Sequence, residues 1–290
     1  MSASSEQICC PACRTPFTDT LHCIGCGRTY QTVDGMPILL TAPLSKELEE
    51  EAKWYDAAPR QFSRGHHLAH AKARADITPG LRRMGITDVH LVLTVGCGTG
   101  NDLETILPVT KHIVGIDIAA SAVRQFRVSS GLAGYVADCG QMPFLDGSID
   151  AVVVSGLLHH LAGHDGLQPY LREFRRVLRP GGALLVVEPN LLYPVQWILF
   201  PVNRVMQKLK PGWRGLVPHE RPLGPRFMLR EVRRAGFTVT RYTSSTFLHN
   251  RLPFALAKLI SRIEGPFCRI MPFKLFGWWL TLEAASPACA

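Results

Sequence analysis

No uninterrupted apolar run in this 290-residue chain reaches the ~18 to 20 residues needed to cross a bilayer. The N-terminus lacks the basic-then-apolar pattern of a secretory leader, so the expected compartment is the cytoplasm. An even set of cysteines is also missing. Nine occur, and an odd count in a chain of this size argues against a disulfide framework. Acidic residues are scarce in one stretch: positions 172–241 hold fourteen Lys/Arg against Glu173, Glu188, Glu220 and Glu231, a net of 14 − 4 = +10 in a chain of net +9. The remainder is near balance. A basic half suits an anionic partner, whether a phosphorylated substrate, a membrane surface or nucleic acid; it suits solvated helix faces equally well. The length allows one full α/β domain with a small appendage.

What is present is concentrated in residues 91–101, LVLTVGCGTGN. An aliphatic, β-branched run ends in Gly96, Gly98 and Gly100. This pattern predicts a buried parallel strand, a glycine turn and a helix from about Asn101. Glycine suits such a turn because it accepts unusual φ values and lets a ligand approach the backbone. A second apolar run, 112–116, ends in Asp117, twenty-one residues after Gly96. An acidic residue at that distance, at the tip of the second strand of a nucleotide-binding α/β fold, accepts hydrogen bonds from ribose hydroxyls. Further strands are expected at 133–137, 151–155, 183–188, 237–244 and 277–283. An amphipathic helix is expected at 171–178, ended by Pro180, Gly181 and Gly182.

The glycine spacing is G-x-G-x-G, not the G-x-G-x-x-G of dinucleotide folds. With Asp117, with Ala137 and Asp138 closing a third strand, and with the later LRPGG, the chain closely resembles the class I S-adenosylmethionine-dependent methyltransferases over residues 89–283. The resemblance implies a Rossmann-like α/β fold of seven strands in the order 3-2-1-4-5-7-6, the last antiparallel, with helices on both faces. It implies that Gly96, Cys97, Gly98 and Gly100 pass close to the cofactor's ribose and methionine part, and that Asp117 holds the ribose hydroxyls. Asp138 and Cys139 would meet the adenine amino group, Ile118 and Met142 would pack on the adenine faces, and Ser155 would lie near the methionine moiety. Many members of the family carry an acidic residue two positions before the first glycine; here that position is Thr94, which brings a hydroxyl and no charge. His159 and His160 follow the fourth strand in SGLLHHL, a phrase similar to one in small-molecule methyltransferases. His160 and Glu188, in VVEPN, are the candidate catalytic residues.

Ahead of this core, Cys10 and Cys13, then Cys23 and Cys26, form two C-x-x-C knuckles nine residues apart. Two knuckles complete a tetrahedral Zn²⁺ site, here a structural one because protein closes all four positions. A strand, a turn at Asp34 and Gly35, and a second strand are expected within 30–40. The segment resembles the short zinc-ribbon domains that accompany methyltransferases. The expected division is therefore a ribbon over 1–43, a helical linker or cap over 44–89, and the methyltransferase domain over 90–290, with acceptor-side insertions at 190–229 and 250–276. Ser45 is the expected N-cap of the cap's first helix. Trp54, Tyr55 and Asp56 resemble a family segment that covers cofactor and substrate. His66, His67 and His70 are read as exposed or pocket-lining.

In the first insertion Val195, Ile198, Leu199, Val202, Val205, Met206 and Leu209 form a helical stripe, with Pro201 expected to kink or restart the helix. Arg204, Lys208 and Lys210 give a basic face. The second insertion interleaves Phe254, Leu256, Leu259, Ile260, Ile263 and Phe267 with Lys and Arg. Both segments suit a lid or an interfacial surface touching lipid. The expected activity is methyl transfer from S-adenosylmethionine to an apolar small-molecule or lipid-linked acceptor at oxygen, with room for peripheral membrane contact. An rRNA or tRNA methyltransferase using the ribbon and the basic surface is the first alternative. A non-catalytic cofactor-binding module, motivated by Thr94, is the second.

Overall fold

Asp34 and Gly35 both take positive φ, 50° and 71°, as the two central residues of a type I′ turn require. They close an antiparallel hairpin of β1 (Gln31–Val33) and β2 (Met36–Ile38), with Val33 opposite Met36. In the computed structural model the described residues are 8–18, 20–44, 46, 49, 50, 52, 53, 64–163, 166–210, 223–249, 252–268, 270 and 272–288. Ser45 and the segment with Trp54, Tyr55 and Asp56 lie outside them, as do the side chains of His66, Leu199 and Phe200.

Strands and helices then alternate. The order is α1 (Arg64–Arg74), α2 (Ile77–Arg83), β3 (Val92–Val95), α3 (Leu103–Ile106), β4 (Ile113–Asp117), α4 (Ala120–Ser130), β5 (Ala133–Val136), β6 (Ile149–Ser155), α5 (Leu158–Leu161), α6 (Gln168–Val177), β7 (Leu178–Pro189), α7 (Pro194–Leu209), α8 (Pro225–Arg234), β8 (Thr238–Thr246), α9 (Phe254–Phe267) and β9 (Trp279–Ala285). The nine strands of the described residues share one mixed sheet, ordered β1-β2-β5-β4-β3-β6-β7-β9-β8. The seven strands from β5 to β8 in that order keep the expected arrangement, with β9 antiparallel to both β7 and β8. The hairpin adds two strands through parallel pairing of β2 with β5.

Both faces of the sheet are covered. Leu93, Val95, Val152, Val154, Leu184 and Val186 pack on one side with Leu171, Phe174 and Met228. Val92, Ala151, Val153, Leu185 and Val187 pack on the other with Leu81, Ile113 and Phe126. A strand buried on both faces has no polar side to alternate with, which is why these segments read as continuous apolar runs.

Three boundaries differ from expectation. The helix after the first glycine turn is a single turn, Leu103–Ile106. Helix α6 stops at Val177, because Leu178 is already extended and pairs with Ile149; the helix therefore ends before Pro180, Gly181 and Gly182 are reached. Helix α7 runs through Pro201 as one element. Its apolar stripe faces outward instead of closing as a packed lid.

Candidate active site at the carboxyl edge of the sheet

The parallel strands leave their carboxyl ends on one edge, and β3, β4 and β6 place the switch in strand order there. That crevice is where open α/β sheets bind ligands. The turn after β3 has φ values of 68°, 50° and 97° at Gly96, Gly98 and Gly100. It is pinned to β4: the N–H groups of Gly96 and Cys97 both donate to Ile116 O, at 2.9 and 3.0 Å. Gly98 N–H donates to Asp117 Oδ2 at 2.9 Å, and Asp117 Oδ1 accepts from Ala119 N–H at 2.9 Å. Asp117 is thus held at the loop, with further lone pairs on each oxygen. A Cβ built on Gly98 would meet no atom within 4 Å, whereas one on Gly96 would press on Leu157. The loop therefore leaves a backbone cradle at Gly98 and is packed beneath Gly96.

The next strand end supplies Asp138. Its Oδ1 accepts from Gly140 N–H at 2.7 Å, and Ala137 N–H donates to Asp117 O at 3.0 Å, so the two acidic positions are tied together. Ile118 is half-buried beside them. Cys97 and Cys139 are buried, and burial raises the Cys97 thiol far above its ordinary range. Met142 is buried in the core, its N–H donating to Glu173 Oε1 at 2.8 Å. Its side chain belongs to the packing under this edge. Ser155 is half-buried at the end of β6.

A second group gathers beside the loop. Asp102, buried directly after the glycine turn, lies 3.6 Å from Arg74 Nε of α1. Burial lifts its carboxyl to about 6, against the opposing pull of Arg74 and a hydrogen bond from Ser155. The hydroxyl of Thr94 is buried without a hydrogen-bond partner, two residues before Gly96. An uncharged buried group at this point, with a carboxylate and a guanidinium close to the same turn, suits a zwitterionic ligand end. The open cradle at Gly98 and the acidic residues at Asp117 and Asp138 fit a nucleoside alongside it.

Glu188, fully buried at the end of β7, is saturated by its surroundings. Oε1 accepts from Leu157 N–H and Leu158 N–H at 2.8 and 2.7 Å, at the start of α5. Oε2 lies 2.8 Å from His159 Nδ1. His159, not His160, is the histidine paired with the carboxylate; His160 is buried against it, with ring centroids 4.0 Å apart. Nearby, His70 of α1 meets Trp278 and Trp279 edge-on at 5.2 and 5.5 Å. His249 contacts Trp278 and stacks on Tyr193 at 6.1 Å. These rings wall the edge on the β9 side. His67 is exposed.

The sequence reading missed Arg74, Asp102, His159 as the paired histidine, and the rings of Trp278 and Trp279, while His70 was read as exposed or pocket-lining. Asp102 carried one signal, an acidic residue immediately after the third glycine and Asn101. It reads as a helix cap, but makes no side-chain cap bond.

Far from this edge in sequence, the sulfurs of Cys10, Cys13, Cys23 and Cys26 all lie within 4.8 Å of one another. Cys10 and Cys26 are 3.6 Å apart, and Cys13 and Cys23 are 3.3 Å apart. Tetrahedral bonds of about 2.3 Å have edges of about 3.8 Å, so four thiolates so placed fit one Zn²⁺. The knuckles are bound to the core by Cys9 N–H donating to Pro143 O at 2.9 Å, Leu39 N–H to Val136 O at 2.7 Å, and Thr41 Oγ1 to Gln141 Oε1.

Residues 93–186 match the family described as Methyltransferase domain. Over 121 residues the chain is 32% identical to the Mus musculus protein named Probable tRNA methyltransferase 9B, covering 40% of this chain and 26% of that one. This chain thus aligns with about a quarter of that relative's length. Among solved structures it resembles the geranyl diphosphate C-methyltransferase of Streptomyces coelicolor A3(2), with a TM-score of 0.56 and 13% identity, covering 84% of this chain and 100% of that one. It also resembles a chain of the Haloferax volcanii complex between the Trm112 methyltransferase activator and a methyltransferase, with a TM-score of 0.55 and 19% identity, covering 82% and 98%. At these identities the structural likenesses show the fold. Taken with the glycine turn, Asp117, the strand order and the match over residues 93–186, they give the chain the α/β fold of the class I S-adenosylmethionine-dependent methyltransferases, with a four-cysteine cluster joined to one edge of the sheet.

Proposed function

We propose that this protein methylates an oxygen of an apolar small-molecule or lipid-linked acceptor. The observation that carries this reading is the His159–Glu188 pair on the edge that bears the glycine turn. Bound S-adenosylmethionine supplies a methyl group activated by a sulfonium. The chain's own residues orient, exclude water and move a proton. Gly96, Cys97, Gly98 and Gly100 bring backbone to the ribose and methionine part, Asp117 takes the ribose hydroxyls, and Asp138 with Cys139 meets the adenine amino group. Ile118 lies against the adenine, with Met142 supporting it from the core. Asp102 and Arg74 hold the ammonium and carboxylate of the methionine end, beside Ser155; they replace the acidic residue for which Thr94 stands.

Glu188 is a positioning residue. Saturated and fully buried, it fixes His159 with the proton on Nδ1. That leaves Nε2 as the basic nitrogen able to accept the acceptor hydroxyl's proton. His160, packed behind, holds the ring in place. The domain division stays as proposed: ribbon 1–43, cap 44–89 and methyltransferase domain 90–290, with the ribbon holding one structural Zn²⁺ on Cys10, Cys13, Cys23 and Cys26.

The test uses zinc-loaded protein, methyl-labelled cofactor and a panel of phenols, lipid-linked alcohols and RNA. Label should enter the apolar hydroxy compounds. His159→Asn should lower turnover by about a hundredfold or more with S-adenosylhomocysteine affinity unchanged. Full turnover in His159→Asn would remove the base. A second reading, a tRNA methyltransferase, is favoured by the likeness to the mouse relative and by the basic stretch at 172–241. Label entering RNA alone, with binding that falls steeply with salt, would establish it instead.

A further inference from the structure

Two helices of this chain carry their apolar stripe on the outside. On α7, Ile198, Val202, Val205 and Leu209 recur at intervals of four, three and four, and so share one face. They are 70%, 51%, 56% and 74% exposed. On α9, Leu256, Leu259, Ile263 and Phe267 recur at three, four and four and are 44–56% exposed. The other side of α9 is the one that packs. Ala257 is fully buried, and the buried Glu264 carboxylate accepts from Thr246 Oγ1 at 2.9 Å and Phe247 N–H at 2.8 Å. Those bonds fix the helix with its stripe outward.

Topology places both helices on one edge. Helix α7 follows the end of β7, and α9 follows the end of β8. These strands run parallel, since each is antiparallel to β9. Both helices therefore leave the carboxyl edge that also bears the glycine turn and His159. On the two helices themselves the exposed charge has one sign. Arg204, Lys208, Lys210, Lys258 and Arg262 are exposed, while the single acidic residue among the described positions of 194–210 and 252–276 is the buried Glu264. Trp197 lies beside the first stripe, exposed, with Nε1 donating to Leu191 O at 3.2 Å. Such a ring suits headgroup depth.

We propose that this edge docks peripherally on an anionic lipid surface, with the stripes of α7 and α9 in the interfacial layer and the basic side chains on lipid phosphates. Exposed apolar stripes bordered by Lys and Arg bind in this way through buried area plus attraction to anionic lipid. No described helix is long and apolar enough to cross a membrane. A second copy of the chain fits the face less well, because a two-fold contact would set these cations against their own copies. The docking rests on the methyltransferase reading only in giving a lipid-linked acceptor its route to the site, and the binding itself is measured without turnover.

The test is co-sedimentation of the zinc-loaded full chain with vesicles of phosphatidylcholine alone and of an equimolar phosphatidylcholine–phosphatidylglycerol mixture. Partition into the mixed vesicles should be stronger by about tenfold or more and should weaken as ionic strength rises. Ile198→Glu with Val205→Glu, and separately Leu259→Glu with Ile263→Glu, should each lower it by about tenfold. The far-ultraviolet circular dichroism should stay unchanged, since all four side chains are exposed. Arg204→Gln with Lys208→Gln should lower it without touching the stripe. No sedimentation with either vesicle would overturn the proposal, as would equal partition into both or partition unaffected by every variant. A concentration-dependent dimer that the glutamate variants abolish, with no vesicle binding, would assign the face to a second copy.

Discussion

Among the residues of the candidate site, Asp102 has the most testable chemistry. Burial lifts its carboxyl to about 6, and the ionised form is the one that can hold a cofactor ammonium. Cofactor affinity should therefore rise with pH through about 6 and fall below it by up to about tenfold per pH unit. Asp102→Asn should flatten that profile and weaken S-adenosylmethionine while leaving methylthioadenosine, which lacks the amino-acid end, unaffected. The same raised carboxyl makes the folded state hold its proton longer than the unfolded chain does. Stability from this group is thus present at low pH and lost as pH rises through about 6. Asp102→Asn should accordingly raise the thermal midpoint above that pH while it lowers affinity. Calorimetric titrations and thermal melts across pH check both; equal losses for both ligands would remove the ammonium role. Asp117 and Asp138 were legible because they end apolar runs at a telling distance from Gly96. Arg74 and Asp102 were not, because their meeting depends on how α1 crosses the glycine turn, and neither residue sits in a pattern of its own.

At the scale of elements, β3, β4, β6, β7 and β9 were legible because their central residues are buried on both faces and bounded by polar or glycine residues, whereas β8, at the sheet's edge, is half-exposed. The ends were less so. Leu178 belongs by character to the apolar face of α6, yet it pairs with Ile149 and begins β7. Two glycines inside strands gave no sign of their purpose. An ideal Cβ on Gly115 would come within 2.9 Å of Phe126 Cζ, and one on Gly134 within 3.1 Å of Phe126 Cδ1. Their missing side chains form the slot in which α4 lays its fully buried phenylalanine. Phe126→Ala should therefore destabilise the protein by about 3–5 kcal/mol, measured by urea unfolding. A loss under about 1 kcal/mol would mean the slot collapses around the smaller side chain. The stripe on α7 was legible as a helix, but its direction was not: periodicity reports that a helix has an apolar face and says nothing of what covers it.

For the molecule as a whole, the ribbon is the instructive part. Its four cysteines were plain from spacing alone, but nothing in the spacing tells that its hairpin lengthens the main sheet. The pairing of β2 with β5, and the bonds from Cys9 and Thr41 to Pro143 and Gln141, set it against the strand end and loop that carry Asp138. So small a segment has little core of its own, and metal would supply its folding energy. Cys10→Ser with Cys13→Ser should remove one zinc per chain by elemental analysis and should weaken cofactor binding by loosening the loop at Asp138. Unchanged metal content would refute the site, while lost metal with unchanged cofactor affinity would confine the ribbon to a role away from that loop.

The proposed function stands on the carboxyl edge binding S-adenosylmethionine with Asp117 on the ribose. The most direct measurement is calorimetric titration of the zinc-loaded protein and of Asp117→Ala with S-adenosylhomocysteine. The native chain should bind with a dissociation constant of about micromolar order, and the variant should lose about tenfold or more, since each ribose hydroxyl's bond to a charged carboxylate contributes about 1.5–3 kcal/mol. No binding by the native chain, or equal binding by the variant, would contradict it.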